Sequence, residues 1–123
     1  MIYLLNSLII PADLSKQTSV WVRMRKANID EVRQLLSQGF TSAIGHESTS
    51  ILLTELLGVK VPFNRIAVSV KPGDIIVHFV LKTRLPEGKV LDLQELQNLE
   101  YYFVVSEVYD SPPQRGCSRG APP

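Results

Sequence analysis

The sequence predicts a single α/β (α+β) domain, built as a mixed β-sheet of about five strands with flanking helices. Three observations lead there. A chain of 123 residues with 45% hydrophobic content can bury one core and hardly two. Short β-branched and aromatic runs alternate along it with segments whose apolar residues recur at helical spacing, the pattern of helices packed on a sheet. No segment repeats at a fixed period, so solenoids and propellers are excluded.

The first element is the apolar run Ile2–Leu5, closed by Asn6-Ser7 and Pro11, which reads as a buried strand entering a loop. Residues 19–25 alternate partially, with Val20, Val22 and Met24 on one face and Trp21, Arg23 and Arg25 on the other, as in a half-exposed strand. Asn28 followed three residues later by Glu31 is a helix start, and Val32, Leu35 and Leu36 carry the helix to a stop near Gly39. A second helix contains Ile51, Leu52, Leu53, Leu56 and Leu57 and stops at Gly58; its wide apolar face predicts deep burial. Residues 66–70 and 75–81 are two β-branched runs joined by Lys71-Pro72-Gly73-Asp74, for which a hairpin is the simplest arrangement. A polar loop over 82–89 precedes a third helix from Leu93 to about Leu99, capped by Asp92. The last strand, 101–108, is rich enough in aromatic and β-branched residues to lie well inside the sheet. The domain is thus expected over 1–109, with 110–123 a disordered tail of Pro, Gly, Ser and Arg.

Charge narrows the partners. Thirteen basic and twelve acidic residues give a net charge of +1, and without the tail eleven of each remain. Such neutrality argues against duplex nucleic acid as a partner, because binding there rests on neutralising many phosphates. A single cysteine, Cys117, excludes a disulfide framework and fits a reducing compartment. With no basic-flanked signal and no apolar run of membrane-spanning length, a cytoplasmic protein with no membrane partner is expected.

The segment Ser42-Ala43-Ile44-Gly45-His46-Glu47-Ser48-Thr49 carries the chemistry. It sets a histidine among small polar residues where a helix begins, and the unpaired N–H groups of a helix start favour phosphate. Taken alone, His46 reads as a surface or capping residue. Arg84 and Glu87, three apart on a Gly-containing loop, read either as a solvated ion pair or as a phosphate clamp with its orienting carboxylate. Spacing does not choose between these. Two histidines, His46 and His78, and one tail cysteine assemble no zinc-type ligand set, and no cofactor motif is present. His78, inside 75–81, reads as a strand residue satisfied by a neighbour, and Trp21 with Tyr101-Tyr102-Phe103 as core or dimer contacts.

Four segments in order, Asn6-Ser7, Ser42 through Thr49, Pro62-Phe63-Asn64-Arg65 and Arg84-Leu85-Pro86-Glu87-Gly88-Lys89, resemble the viral ring nucleases over about residues 2–108. That family occurs in archaeal viruses, phages and mobile elements and degrades cyclic tetra-adenylate without a metal, acting as an anti-CRISPR against type III systems. The resemblance implies His46, Arg84 and Glu87 as catalytic residues, and Asn6, Ser7, Ser48, Thr49 and Arg65 as substrate-binding ones. It also implies a homodimer, whose two-fold axis matches that of a four-membered ring, and products that are linear di-adenylates with 2′,3′-cyclic phosphate ends. For a virus-encoded copy the expected location is the host cytoplasm. The alternative is a protein that sequesters a cyclic nucleotide without cutting it, since the same residues serve binding.

Overall fold

The computed structural model describes residues 1–82 and 100–112. Within them the elements are β1 (Ile2–Leu5), β2 (Trp21–Ala27), α1 (Ile29–Leu36), β3 (Thr41–Ser42), α2 (Glu47–Leu57), β4 (Ile75–Leu81) and β5 (Tyr101–Tyr109). All five strands join one sheet in the order β2-β5-β4-β1-β3. β1 is parallel to both β3 and β4, whereas β5 is antiparallel to β4 and β2. The predicted mixed five-stranded sheet with helices packed on it is therefore present. The third helix expected from Leu93, the loop bearing Arg84 and Glu87, and the tail from residue 113 onward lie outside the described residues.

β4 takes the centre because its apolar run is buried on both faces from Ile76 through Phe79, and such a strand needs a partner on either side. One face of the sheet receives the helices. Leu4, Val77, Phe79 and Phe103 pack there against Val32 and Leu36 of α1 and Leu52, Leu53 and Leu57 of α2. Truncating a fully buried leucine such as Leu52 or Leu53 would cost roughly 2–5 kcal/mol. The opposite face is covered by chain without regular structure: Ile10, Ala12 and Val68–Val70 lie over Leu5, Ile76 and Val108.

That covering role corrects the predicted hairpin. Residues 66–70 form no strand, and only Val70 makes a bridge, parallel to Ala12. The turn itself is real: Asp74 accepts the Lys71 N–H at 3.0 Å and Gly73 has φ +96°. It turns the chain out of the covering layer and into the sheet, where pairing to β1 and β5 buries far more of 75–81 than pairing to the exposed Ile66 and Ala67 would. The second strand sits two residues later than expected, at the sheet edge beside β5, and is half-exposed as read. Two-residue β3 carries no sequence signal of its own. Of the aromatic cluster, Phe103 is core, packed 5.4 Å from Phe79, and Tyr101 meets it edge-on, while Trp21 stays 37% exposed.

The helix ends differ. Asn28 caps α1 by accepting the Glu31 N–H at 2.8 Å, with Asp30 and Glu31 in the first turn facing the positive end of the dipole. At its far end α2 stops at Gly58, φ +70°, and Arg33 of α1 donates to the Leu56 and Leu57 carbonyls at 3.0 Å each.

Candidate functional site

Parallel strands bring their C-terminal ends, and the loops that follow, to one edge of a sheet, where open α/β sheets bind ligands. Here β1, β3 and β4 do so. Asn6, half-buried, and Ser7, exposed, follow β1; the turn into α2 follows β3; and β4 ends at Leu81, three residues past the partner of Leu5. Lys82 then pairs with Glu100 through a backbone hydrogen bond of 3.0 Å and an ion pair of 3.2 Å. Arg84 and Glu87 belong to 83–99, outside the described residues.

The turn from β3 into α2 is held mainly by a second segment, 62–65. The buried Ser42 hydroxyl donates to the Pro62 carbonyl at 2.7 Å and accepts the Ile44 N–H at 3.3 Å. Asn64 returns the contact twice: its side-chain amide donates to the Ser42 carbonyl at 2.7 Å and its backbone N–H to the Ile44 carbonyl at 3.0 Å. With Ile44 bridged to Phe63, the segments 42–46 and 62–65 form one unit. Its consequence is the placement of Arg65, whose guanidinium donates to the Gly45 carbonyl at 3.3 Å and whose stem lies 3.8 Å from where a Gly45 side chain would begin.

His46 occupies the N-cap of α2 in extended backbone (φ −128°, ψ 123°), and its side chain makes no capping hydrogen bond. Its carbonyl accepts the Thr49 and Ser50 N–H groups, at 3.1 Å each. The preceding N–H groups, those of Glu47 and Ser48, have no partner among the described residues, so the helix start offers two donors beside an exposed imidazole and an exposed guanidinium. Such a set can hold a phosphate and pass it a proton.

Of the eight residues predicted for the site, His46, Ser48 and Arg65 are brought together at the start of α2, and Asn6 and Ser7 lie on the same edge one strand away. Thr49 is 5% exposed and turned to the interior, unlike the half-buried Ser48. One contributor escaped the sequence reading. Asn64 was visible only as part of a motif, and its role depends on a partner 22 residues away. His78 is fully buried, yet its Nδ1 donates to the Ser7 carbonyl at 2.8 Å and its Nε2 lies 2.8 Å from the Ser106 hydroxyl. A carbonyl only accepts, so the hydrogen sits on Nδ1 and Nε2 accepts from Ser106. Burial pushes this imidazole below the usual 6.5, against a weaker upward pull from the Ser7 carbonyl. His78 is thus the satisfied strand residue that was expected.

Among the described residues no three His, Cys, Asp or Glu side chains are grouped to hold a metal ion, and no helix is long and apolar enough to cross a membrane. A family model described as STIV B116-like matches residues 2–103. The chain is 37% identical over 110 residues to uncharacterized protein 26 of Sulfolobus islandicus filamentous virus (isolate Iceland/Hveragerdi), covering 88% of this chain and 92% of that one. It is 30% identical over 102 residues to uncharacterized protein YddF of Bacillus subtilis (strain 168), covering 80% and 89%. Among solved structures it is similar to B116 of Sulfolobus turreted icosahedral virus, with a TM-score of 0.69 and 25% identity over 86% of this chain and 97% of that one.

Proposed function

The chain belongs to the STIV B116-like family, and from that premise we propose that it is a metal-independent ring nuclease, a homodimer cutting cyclic tetra-adenylate into linear di-adenylates with 2′,3′-cyclic phosphate ends. In a virus-encoded copy this removes the second messenger of type III CRISPR defence in the host cytoplasm. The observation that carries the reading is the start of α2: an uncapped helix end with an exposed histidine, held beside Arg65 by the Ser42–Asn64 staple.

The reaction suits such a site. An RNA linkage contains its own nucleophile, so the enzyme aligns the 2′-hydroxyl with the phosphorus and protonates the departing 5′-oxygen. His46 is the acid, a role worth roughly 10²–10⁴ in rate. The Glu47 and Ser48 N–H groups and Arg65 take phosphate oxygens, as Asn6 and Ser7 take the nucleotide. From the resemblance, Arg84 stabilises the charged phosphorane and Glu87 holds His46 or Arg84 in place. A ring with a two-fold axis presents the same linkage to each subunit of a C2 dimer, which yields two equal halves. His46→Ala tests the assignment: single-turnover cleavage is expected to collapse while equilibrium binding of the ring stays near wild type. Unchanged turnover would remove His46 from the mechanism. A wild-type protein that binds the ring and never cuts it would make this a sequestering protein instead.

A further inference from the structure

The run Ile75–Leu81 has one polar member, His78, and it sits at the centre of the sheet with no exposed surface. An apolar residue there would avoid the cost of desolvating two ring nitrogens. What the histidine gains is a connection across 71 residues to the Ser7 carbonyl, on the turn after β1. No other hydrogen bond among the described residues holds Ser7, Leu8 or Ile9, and all three are exposed. Among the described residues, the buried ring is thus the turn's hydrogen-bonded anchor. Ser106, fully buried on β5, sets that ring by donating to Nε2, which leaves Nδ1 as the donor.

The consequence concerns the peptide between Ser7 and Leu8. It is trans, as is every peptide among the described residues, so its N–H points opposite to its carbonyl. With the carbonyl tied down to His78, the Leu8 N–H is directed away from that ring, on the same turn as the exposed Ser7 side chain. We infer that His78, with Ser106 behind it, is a positioning residue that fixes the Ser7–Leu8 peptide so that the Leu8 N–H and the Ser7 hydroxyl face the nucleotide at the edge shared with His46. The inference rests on the ring-nuclease reading. His78 does not touch the substrate; it removes the freedom the turn would otherwise lose on binding, and its loss weakens ground-state and transition-state binding alike.

The test compares His78→Leu, which removes both hydrogen bonds, with His78→Asn, whose amide sits near the Nδ1 position and keeps a donor for Ser7. Cleavage of cyclic tetra-adenylate is followed under multiple turnover. For folded variants with cooperative unfolding, His78→Leu is expected to raise KM about tenfold with kcat within about twofold of wild type, the scale of one lost hydrogen bond, and His78→Asn to recover most of it. Wild-type KM in His78→Leu, or no recovery in His78→Asn, overturns the inference. Should His78→Leu fail to fold, Ser106→Ala takes its place, with a KM raised about threefold expected and wild-type KM overturning. Nitrogen chemical shifts of the wild-type ring are expected to report the Nδ1–H tautomer, and the Nε2–H tautomer overturns the geometry. A wild-type protein that neither binds nor cleaves the ring sinks the nuclease reading itself, an outcome distinct from a cleaving enzyme indifferent to His78.

Discussion

The two helices among the described residues begin in opposite ways. α1 starts at Asn28, whose side chain accepts the Glu31 N–H, and carries Asp30 and Glu31 in its first turn; Arg25 pairs with Glu31 from the neighbouring strand. α2 starts at His46, which caps nothing, and the chain before it is held by residues 62–65 instead. A capping side chain is worth about 1 kcal/mol, so a start without one gives up stability that a single Asn or Asp would supply. Proteins leave such positions unoptimised where function needs them. On the proposed function, the contrast separates a helix end used for folding from one kept open to a ligand.

The largest effect that would sharpen this contrast is on cleavage. His46→Ala exchanges one poor cap for another, so stability is expected to move by no more than about 0.5 kcal/mol in denaturant titration, while cleavage falls by roughly 10²–10⁴. Next comes the staple. Asn64→Ala leaves the Ser42 carbonyl without its amide donor and is expected to cost about 1–3 kcal/mol by chemical denaturation, with weaker ring binding as Arg65 loses its seat. A smaller pair of changes reverses the two starts: Asn28→Ala is expected to destabilise by about 1 kcal/mol with cleavage unaffected, and His46→Asp to stabilise by about 1 kcal/mol with cleavage lost. If His46→Asp failed to stabilise the protein, α2 would already be capped in solution and the contrast would dissolve.

The smallest effect is on pH dependence. His78 is held below 6.5 by burial, so the unfolded chain takes up a proton there that the folded chain refuses. Its contribution to stability is whole above 6.5, declines as the pH falls toward the lower folded value, and levels off beneath it. Thermal unfolding is expected to show that decline in wild type and a flatter profile in His78→Asn; equal slopes would mean that His78 titrates normally.

What could be read from the residues follows the range of the interactions. β1, β4 and β5 and both helices were legible because their signals are local: apolar runs, Asn28 with Glu31, and Gly58 as a stop. Pairing was not, since nothing in 66–70 says that covering the sheet is better than joining it; the decision depends on β1, some seventy residues away, needing β4. β3 is two residues long and exists only because β1 offers it an edge. At the site, the motif places His46 at the start of α2, where it is found, and the motif segments 42–49 and 62–65 do meet. The Asn64 staple was illegible, and His78 was legible as a satisfied strand residue but its partners were not, because each contact joins groups far apart in sequence. Thr49 was assigned from the family resemblance, and the helix turns the position after Ser48 toward the core.

The central claim is that the open start of α2 serves cleavage of a cyclic oligoadenylate. Mass analysis of products after incubation with cyclic tetra-adenylate, in excess chelator, tests it most directly. Linear di-adenylates with 2′,3′-cyclic phosphate and 5′-hydroxyl ends are predicted; an intact ring, or cleavage that reappears only when a divalent metal is restored, would contradict it.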